Sequence, residues 1–440
     1  MGQSPAHFNP CTQIFAYHDD AMTSATHSLP SSSEPLVPLH RQSGFLSFLL
    51  SRLAAVFAMQ IQAIVVAWQV YDITRDPMAL AYVGLAQFLP MVLLLLPAGD
   101  FVDRFSRKRI LQLSWVVQGL CSALLLTLSL NGSQSVSGFY AVLALFGAAR
   151  AFTGPALQSL LPNIVPRAQL ASAIALNSSI MKVAVILGPL LGGILYGLGG
   201  GSLAYSVCLG CFIAALFLLL PVPIRYIEAA KTLESTAIKR FTAGIRYIRY
   251  QPIILGAISL DLFAVLLGGV VALLPIYAQE VLHVGPEGLG ALRSAIAVGA
   301  LLMGLYLGIR GIKRRAGLVM FVAVTVFGIA NLVFAFSTFF WLSMAAMLVA
   351  GAADMISVYV RTTLIQLATP DEMRGRVNAV NMLFIGSSNE LGEFRAGSMA
   401  AWFGAVPAAI IGSVGTLAVV GAWVKIFPTL RQVDRFDDAR

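Results

Sequence analysis

The chain has 440 residues, of which 58% are hydrophobic and 11% charged, with a formal net charge of +9. Soluble domains carry about 25% charged residues. A water-facing enzyme, a disordered regulator and a nucleic-acid-binding module are therefore excluded, and the positive charge needs another explanation.

Residues 1–43 are polar, with Pro, Ser, Thr and His, and hold no apolar block of signal-peptide length. They read as a disordered cytoplasmic tail. His7, His18, His27, His40 and Cys11 fall there, at spacings that match no metal-ligand pattern. Cys121, Cys208 and Cys211 sit in apolar runs. Neither a disulfide framework nor a metal site is expected, and no cofactor.

From residue 44 apolar runs recur to residue 427. One helical span and its connection need about 30 residues, which gives about twelve spans. They are placed at 44–72, 77–98, 109–130, 138–161, 168–197, 202–222, 253–279, 286–309, 317–336, 339–367, 377–401 and 404–427. Runs such as Met91–Pro97 do not alternate, so a β-barrel is ruled out. The longest interruption separates two halves of six: an N-terminal half at 44–222, a linker at 223–252, a C-terminal half at 253–427 and a cytoplasmic tail at 428–440. In the linker Ile238, Phe241, Ile245 and Ile248 recur at helical spacing among Lys239, Arg240, Arg246 and Arg249, the pattern of an amphipathic helix on the inner leaflet.

Basic residues cluster after spans two, six, eight and ten: Arg104 to Arg109, Arg225 to Arg249, Arg310 to Arg315, and Arg374 with Arg376. Apart from Arg75, the alternate connections lack them. Both termini are therefore expected in the cytoplasm. The net charge orients the chain in the membrane; it is not a nucleic-acid footprint.

The halves repeat each other. Leu160-Leu161-Pro162 through Asn177 align with Leu364-Ile365-Gln366 through Asn381 at an offset of 204, and Gly99 and Lys108 align with Gly304 and Lys313 at 205. Paired six-helix repeats about an axis along the membrane normal are a transporter architecture.

Residues Gly99-Asp100-Phe101-Val102-Asp103-Arg104-Phe105-Ser106-Arg107-Lys108-Arg109 resemble the G-x-L-x-D-R-x-G-R-[RK] element of the major facilitator superfamily, with Ser106 in place of a glycine. Arg150 to Gly154 resemble that family's R-x-x-q-G element, and Gly188-Pro189-Leu190-Leu191-Gly192-Gly193 its GPxxGG element. Tyr71 to Thr74, Gln87 to Pro90 and Arg374 to Val377 are most similar to the branch containing the enterobactin exporter and related efflux proteins. The resemblance implies an all-α membrane protein with the twelve-helix major facilitator fold. It implies a conformational latch at Gly99, Asp103, Arg104, Arg107 and Lys108. Gly308 replaces the acid in the second half, so the latch is expected in the first half alone. The resemblance further implies coupling at Arg150 and a gate at Gly188, Pro189, Gly192 and Gly193.

Away from the span ends, ten charged residues fall within the spans: Arg52, Arg150, Lys182, Asp261, Arg293, Asp354, Arg361, Glu390, Glu393 and Arg395. Each costs on the order of 2.5–3.5 kcal/mol at a bilayer centre and so needs a partner or water. Arg52, Arg150, Asp261, Asp354 and Arg361 fall on spans one, four, seven and ten, which line the cavity in the superfamily fold. Asp354 is the repeat equivalent of Arg150, and the two are expected to face each other, either as a coupling pair or as a structural bridge. Asp261 is a cavity acid or a partner of Arg52. Glu390 and Glu393, one turn apart, are acids of the outer exit or neutralise Arg293 and Arg395. Gln60, Trp68 and Tyr359 complete the expected cavity. The resulting expectation is a monomeric, proton-coupled exporter of a small organic molecule in a bacterial inner membrane. An importer of the same fold is the alternative; a membrane enzyme or a non-transporting receptor is more remote.

Overall fold

The computed structural model describes residues 39, 42, 44–132, 135–223 and 237–436, so nearly all of the expected N-terminal tail lies outside the described residues. Every regular element among them is helical. Ten helices are long and apolar enough to cross a membrane. In chain order the principal helices are α1 (Phe45–Thr74), α2 (Pro77–Arg104), α3 (Arg107–Leu130), α4 (Ser137–Leu160), α5 (Leu170–Leu219), α6 (Ala237–Tyr250), α7 (Pro252–Gly268), α8 (Pro286–Arg310), α9 (Ala316–Phe336), α10 (Phe340–Ala368), α11 (Asp371–Phe403) and α12 (Ala405–Ile426).

Local chemistry sets the boundaries. Asp76 caps α2 by accepting from the Met78 backbone N–H at 2.8 Å, and Pro77 occupies the first helical position, where its missing N–H costs nothing. The expected spans 168–197 and 202–222 follow each other across a kink within α5. Its backbone leaves helical geometry only at Gly199 (φ −148°, ψ 20°) and Gly200 (φ 64°, ψ −164°). The φ of Gly200 lies where an L side chain is strained, so two glycines fold a hairpin without a loop.

The expected span 253–279 is broken. α7 stops at Gly268, and 3₁₀, α and π turns carry the chain on to Val281. Two adjacent glycines weaken the helix there, and neighbouring side chains take up carbonyls around the break. Thr416 Oγ1 donates to the Ala264 carbonyl at 2.9 Å and Asn331 Nδ2 to that of Gly268 at 3.2 Å. Backbone groups freed at membrane depth are tolerated only with such partners. α11 is long enough to span but is not among the ten apolar helices; Glu390, Glu393 and Arg395 interrupt its apolar run.

One apolar core joins α1 to α5, and further cores join the later helices. The end of α1 packs instead into a core shared with residues 270–289 and the adjoining ends of α9 to α12. α6 lies on the start of α11. A Cβ on Gly244 would fall 2.7 Å from the Arg376 carbonyl, and Tyr247 Oη donates to the Ala368 carbonyl at 3.1 Å. The segment after α12 turns back: the Ala316 N–H donates to the Asp434 carbonyl at 3.2 Å and that of Gly317 to Val433 at 3.1 Å.

Candidate functional site

A cavity of about 210 Å³ lies among α1, α2, α4, α5, the broken stretch after α7, α8 and α11. Arg150 enters from α4, Arg293 from α8, and Glu390 and Glu393 from α11. Gln60, Gln62 and Gln87 add neutral polar groups. Small residues make room: a Cβ on Gly84 of α2 would sit 3.7 Å from Glu390 Oε2, and one on Gly392 would sit 3.0 Å from the Val265 carbonyl of α7. α11 thus packs closely on both neighbours while its two acids stay at the cavity. Gln62 is held in place by Ser122 Oγ, which donates to its Oε1 at 2.7 Å. Arg293 and Glu393 approach to 4.0 Å. Arg150 and Glu390 make no ion pair among the described residues, although each charge lies in the field of the other.

A second cluster lies within the later helices. Arg361 of α10 pairs with Asp261 of α7, both almost fully buried, and Ser357 Oγ donates to the same carboxylate at 3.1 Å. Asp354, one and two turns from these residues on α10, has Asp261, Arg361 and Lys182 as its charged neighbours. The expected meeting of Arg150 with Asp354 is not found. α4 turns Arg150 toward α11, whereas α10 turns Asp354 toward α7 and α5. Asp261 has Arg361 as its cation, not Arg52. Arg52 instead lines a separate hollow with Gly154, Gln158 and Asn177, its Nε buried without a partner. Glu393 meets Arg293, one of the two alternatives expected; among the described residues Arg395 pairs with no carboxylate, and its Nη1 contacts Met399 Sδ at 3.2 Å. Of the uncharged residues expected at the cavity, Gln60 lines it. Trp68 packs edge-on to Tyr196, and Tyr359 packs on Phe436.

The expected latch is described in part, the Asp103 side chain lying outside the described residues. Lys108 Nζ donates to the Leu220 and Val222 carbonyls, each at 2.8 Å, and so closes the C-terminal end of α5. Arg104 is exposed, and a Cβ on Gly99 would meet nothing within 4 Å.

The four residues expected to form a gate divide between two contacts. Gly188 and Gly192 face α1: added Cβ atoms would sit 2.5 Å from Gln60 Cβ and 3.1 Å from the Ile61 carbonyl. Pro189 and Gly193 face α8. A Cβ on Gly193 would sit 2.2 Å from the Pro286 carbonyl, and one on Gly290 would sit 2.5 Å from the Pro189 carbonyl. Ser294 Oγ fastens the same seam by donating to the Ile186 carbonyl at 2.6 Å. Tyr71 Oη donates to Glu280 nearby, and Arg75 Nη1 donates to Gln279 Oε1 at 2.6 Å. Sequence reasoning missed these two ties; Glu280, an acid between an apolar run and Pro286, was the available signal.

A family model described as "Transmembrane secretion effector" matches residues 33–439. The enterobactin exporter EntS of Citrobacter koseri is 26% identical over 410 residues, covering 90% of this chain and 94% of that protein. EntS of Salmonella typhi is also 26% identical, over 87% and 92% of the two chains. Among solved structures, an inward-facing bacterial homologue of the lysosomal transporter Spinster superposes with TM-score 0.66 at 15% identity, covering 90% of this chain and 96% of that one. An inward-facing bacterial homologue of the iron transporter ferroportin gives TM-score 0.66 at 21% identity, covering 88% and 98%.

Proposed function

We propose, from the premise that this chain belongs to the transmembrane secretion effector family of major facilitator transporters, that it exports a small organic molecule from the bacterial cytoplasm through the inner membrane. One observation carries the reading: a cavity between the earlier and later helices gathers two arginines and two glutamates. Charges at such depth are costly and mark a solute pathway. Similarity to enterobactin exporters over about nine-tenths of both chains supports export over import.

The proposed architecture has twelve spans in two halves. The apolar helices supply ten; the glycine hairpin in α5 adds one, and α11 supplies the twelfth. Both termini are cytoplasmic on the distribution of Arg and Lys. In that orientation the contacts Gly193–Pro286, Gly290–Pro189, Gly397–Ala81 and Tyr71–Glu280 all lie toward the outer face. They support a state shut to the outside, and alternating access would require this seam to part. The abundance of acids in the two clusters supports proton coupling, and the monomer is the proposed unit.

The test is solute flux in proteoliposomes, with and without a pH gradient of either sign. A deletion strain screened for loss of siderophore and antibiotic efflux supplies the candidate solutes. Outward movement accelerated by an inward proton gradient is the expected result. Flux indifferent to pH would remove the coupling, and accumulation inside cells would favour an importer.

A further inference from the structure

The cavity's charges are not all matched by the protein. Arg293 and Glu393 stand 4.0 Å apart and offset each other. Arg150 and Glu390 remain. They come from α4 and α11, both line the cavity, and neither stands within ion-pair distance of an opposite charge among the described residues, although each lies in the field of the other. Glu390 Oε2 lies beside Gly84 of α2, 3.7 Å from where a Cβ there would sit. The two are further apart than an ion pair, and both lie in the cavity lining. Low-dielectric surroundings make each unpaired charge costly, and the cost falls when a counter-charge arrives or, for a carboxylate, when it takes a proton.

We infer that the ligand of this cavity is a small zwitterion of amino-acid-like character, its anionic group taken by Arg150 and its cationic group by Glu390. This rests on the transport reading above and specifies its substrate class. A purely anionic ligand would satisfy Arg150 and leave Glu390 stranded; a purely cationic one would do the reverse. Rejection by a stranded charge discriminates more sharply than attraction alone. Gln60 and Gln87 lie in the same lining and can donate to or accept from the ligand's neutral polar atoms without favouring either sign. The volume of about 210 Å³ suits a compact molecule.

A matched indole series tests the inference on the intact purified protein in detergent. The series is tryptophan (zwitterion), N-acetyltryptophan (anion), tryptophanamide (cation) and N-acetyltryptophanamide (neutral), with binding read as the ligand-induced rise in melting temperature. The zwitterion is expected to bind about ten- to a hundredfold more tightly than the other three, since each charge-assisted hydrogen bond is worth about 1.5–3 kcal/mol. The variants give a readout that misfolding cannot imitate. Arg150→Gln should shift preference to the cation, and Glu390→Gln should shift it to the anion. Equal binding of anion and zwitterion by the native protein would show Glu390 to be neutral at the site, and it would overturn the inference. So would preferences unchanged in both variants, or no binding by tryptophan. Each of these results leaves the transport reading standing, because that reading is decided by flux of solutes from the efflux screen. Absence of flux for every such solute would remove the transport reading itself.

Discussion

Replacing Gly193 with Ala places one methyl group in the tightest backbone contact of the proposed outer seam. An ideal Cβ there falls 2.2 Å from the Pro286 carbonyl oxygen and 3.0 Å from Glu287 Cα. Ordinary van der Waals contact begins near 3.4 Å, so α5 and α8 must separate by about 1.2 Å. Both obstacles are backbone, and no rotamer change relieves them. Overpacking of this kind costs typically 1–3 kcal/mol. The cost falls only on the state in which the seam is shut, so the shut-to-open ratio should fall roughly five- to a hundred-and-fifty-fold. The assay is labelling of intact cells by a membrane-impermeant maleimide. The reporter is Leu80→Cys at the cavity, in a background with the four native cysteines replaced. Labelling should accelerate by that factor in Gly193→Ala. It should not change in Gly210→Ala, where an added Cβ meets nothing within 4 Å. An unchanged rate in a normally expressed Gly193→Ala would refute the assignment of this seam as the outer closure.

Three further outcomes are expected. Arg361→Met leaves Asp261 buried without its cation and should destabilise the protein by roughly 3–5 kcal/mol, and adding Asp261→Leu should recover most of the loss; equal melting temperatures for the single and double variants would contradict the pairing. Arg150→Ala and Asp354→Ala, which the structure places in different clusters, should change stability additively to within about 0.5 kcal/mol; a larger coupling energy in a double-mutant cycle would mean that the two side chains do meet. Asp103→Asn should insert normally and transport more slowly in the proteoliposome flux assay; a wild-type rate would discard the latch.

Features written as local patterns were legible in the sequence. Apolar runs placed most helices to within one or two turns, the joined α5 and the broken stretch after α7 excepted, and the resemblance carried by Gly99–Arg109, Arg150–Gly154 and Gly188–Gly193 agrees with the family match over residues 33–439. Azimuth was not legible. The internal repeat put Arg150 and Asp354 at equivalent positions, but equivalence in a repeat does not say which neighbour a helix face meets. The seven-residue spacing of Asp354 and Arg361 correctly put them on one face of α10, and Asp261 on α7 turned out to be what that face meets. Gly188 and Gly192, four apart, share a face, and that face packs on α1. Gly193, one position further round the helix, meets α8. A string of glycines shows that something approaches closely, not what. The break after Gly268 was likewise hidden, because an apolar run looks the same whether its backbone is continuous or interrupted.

That interruption places two tasks on one short stretch of chain. Val271, Ala272, Leu274 and Pro275 form part of the cavity wall, while Gln279 and Glu280, a turn further on, hold Arg75 and Tyr71. The backbone between these groups is broken from α7, so the cavity wall and the two ties belong to one stretch and not to a long helix. A solute in the cavity would therefore touch the same short segment that fastens α1.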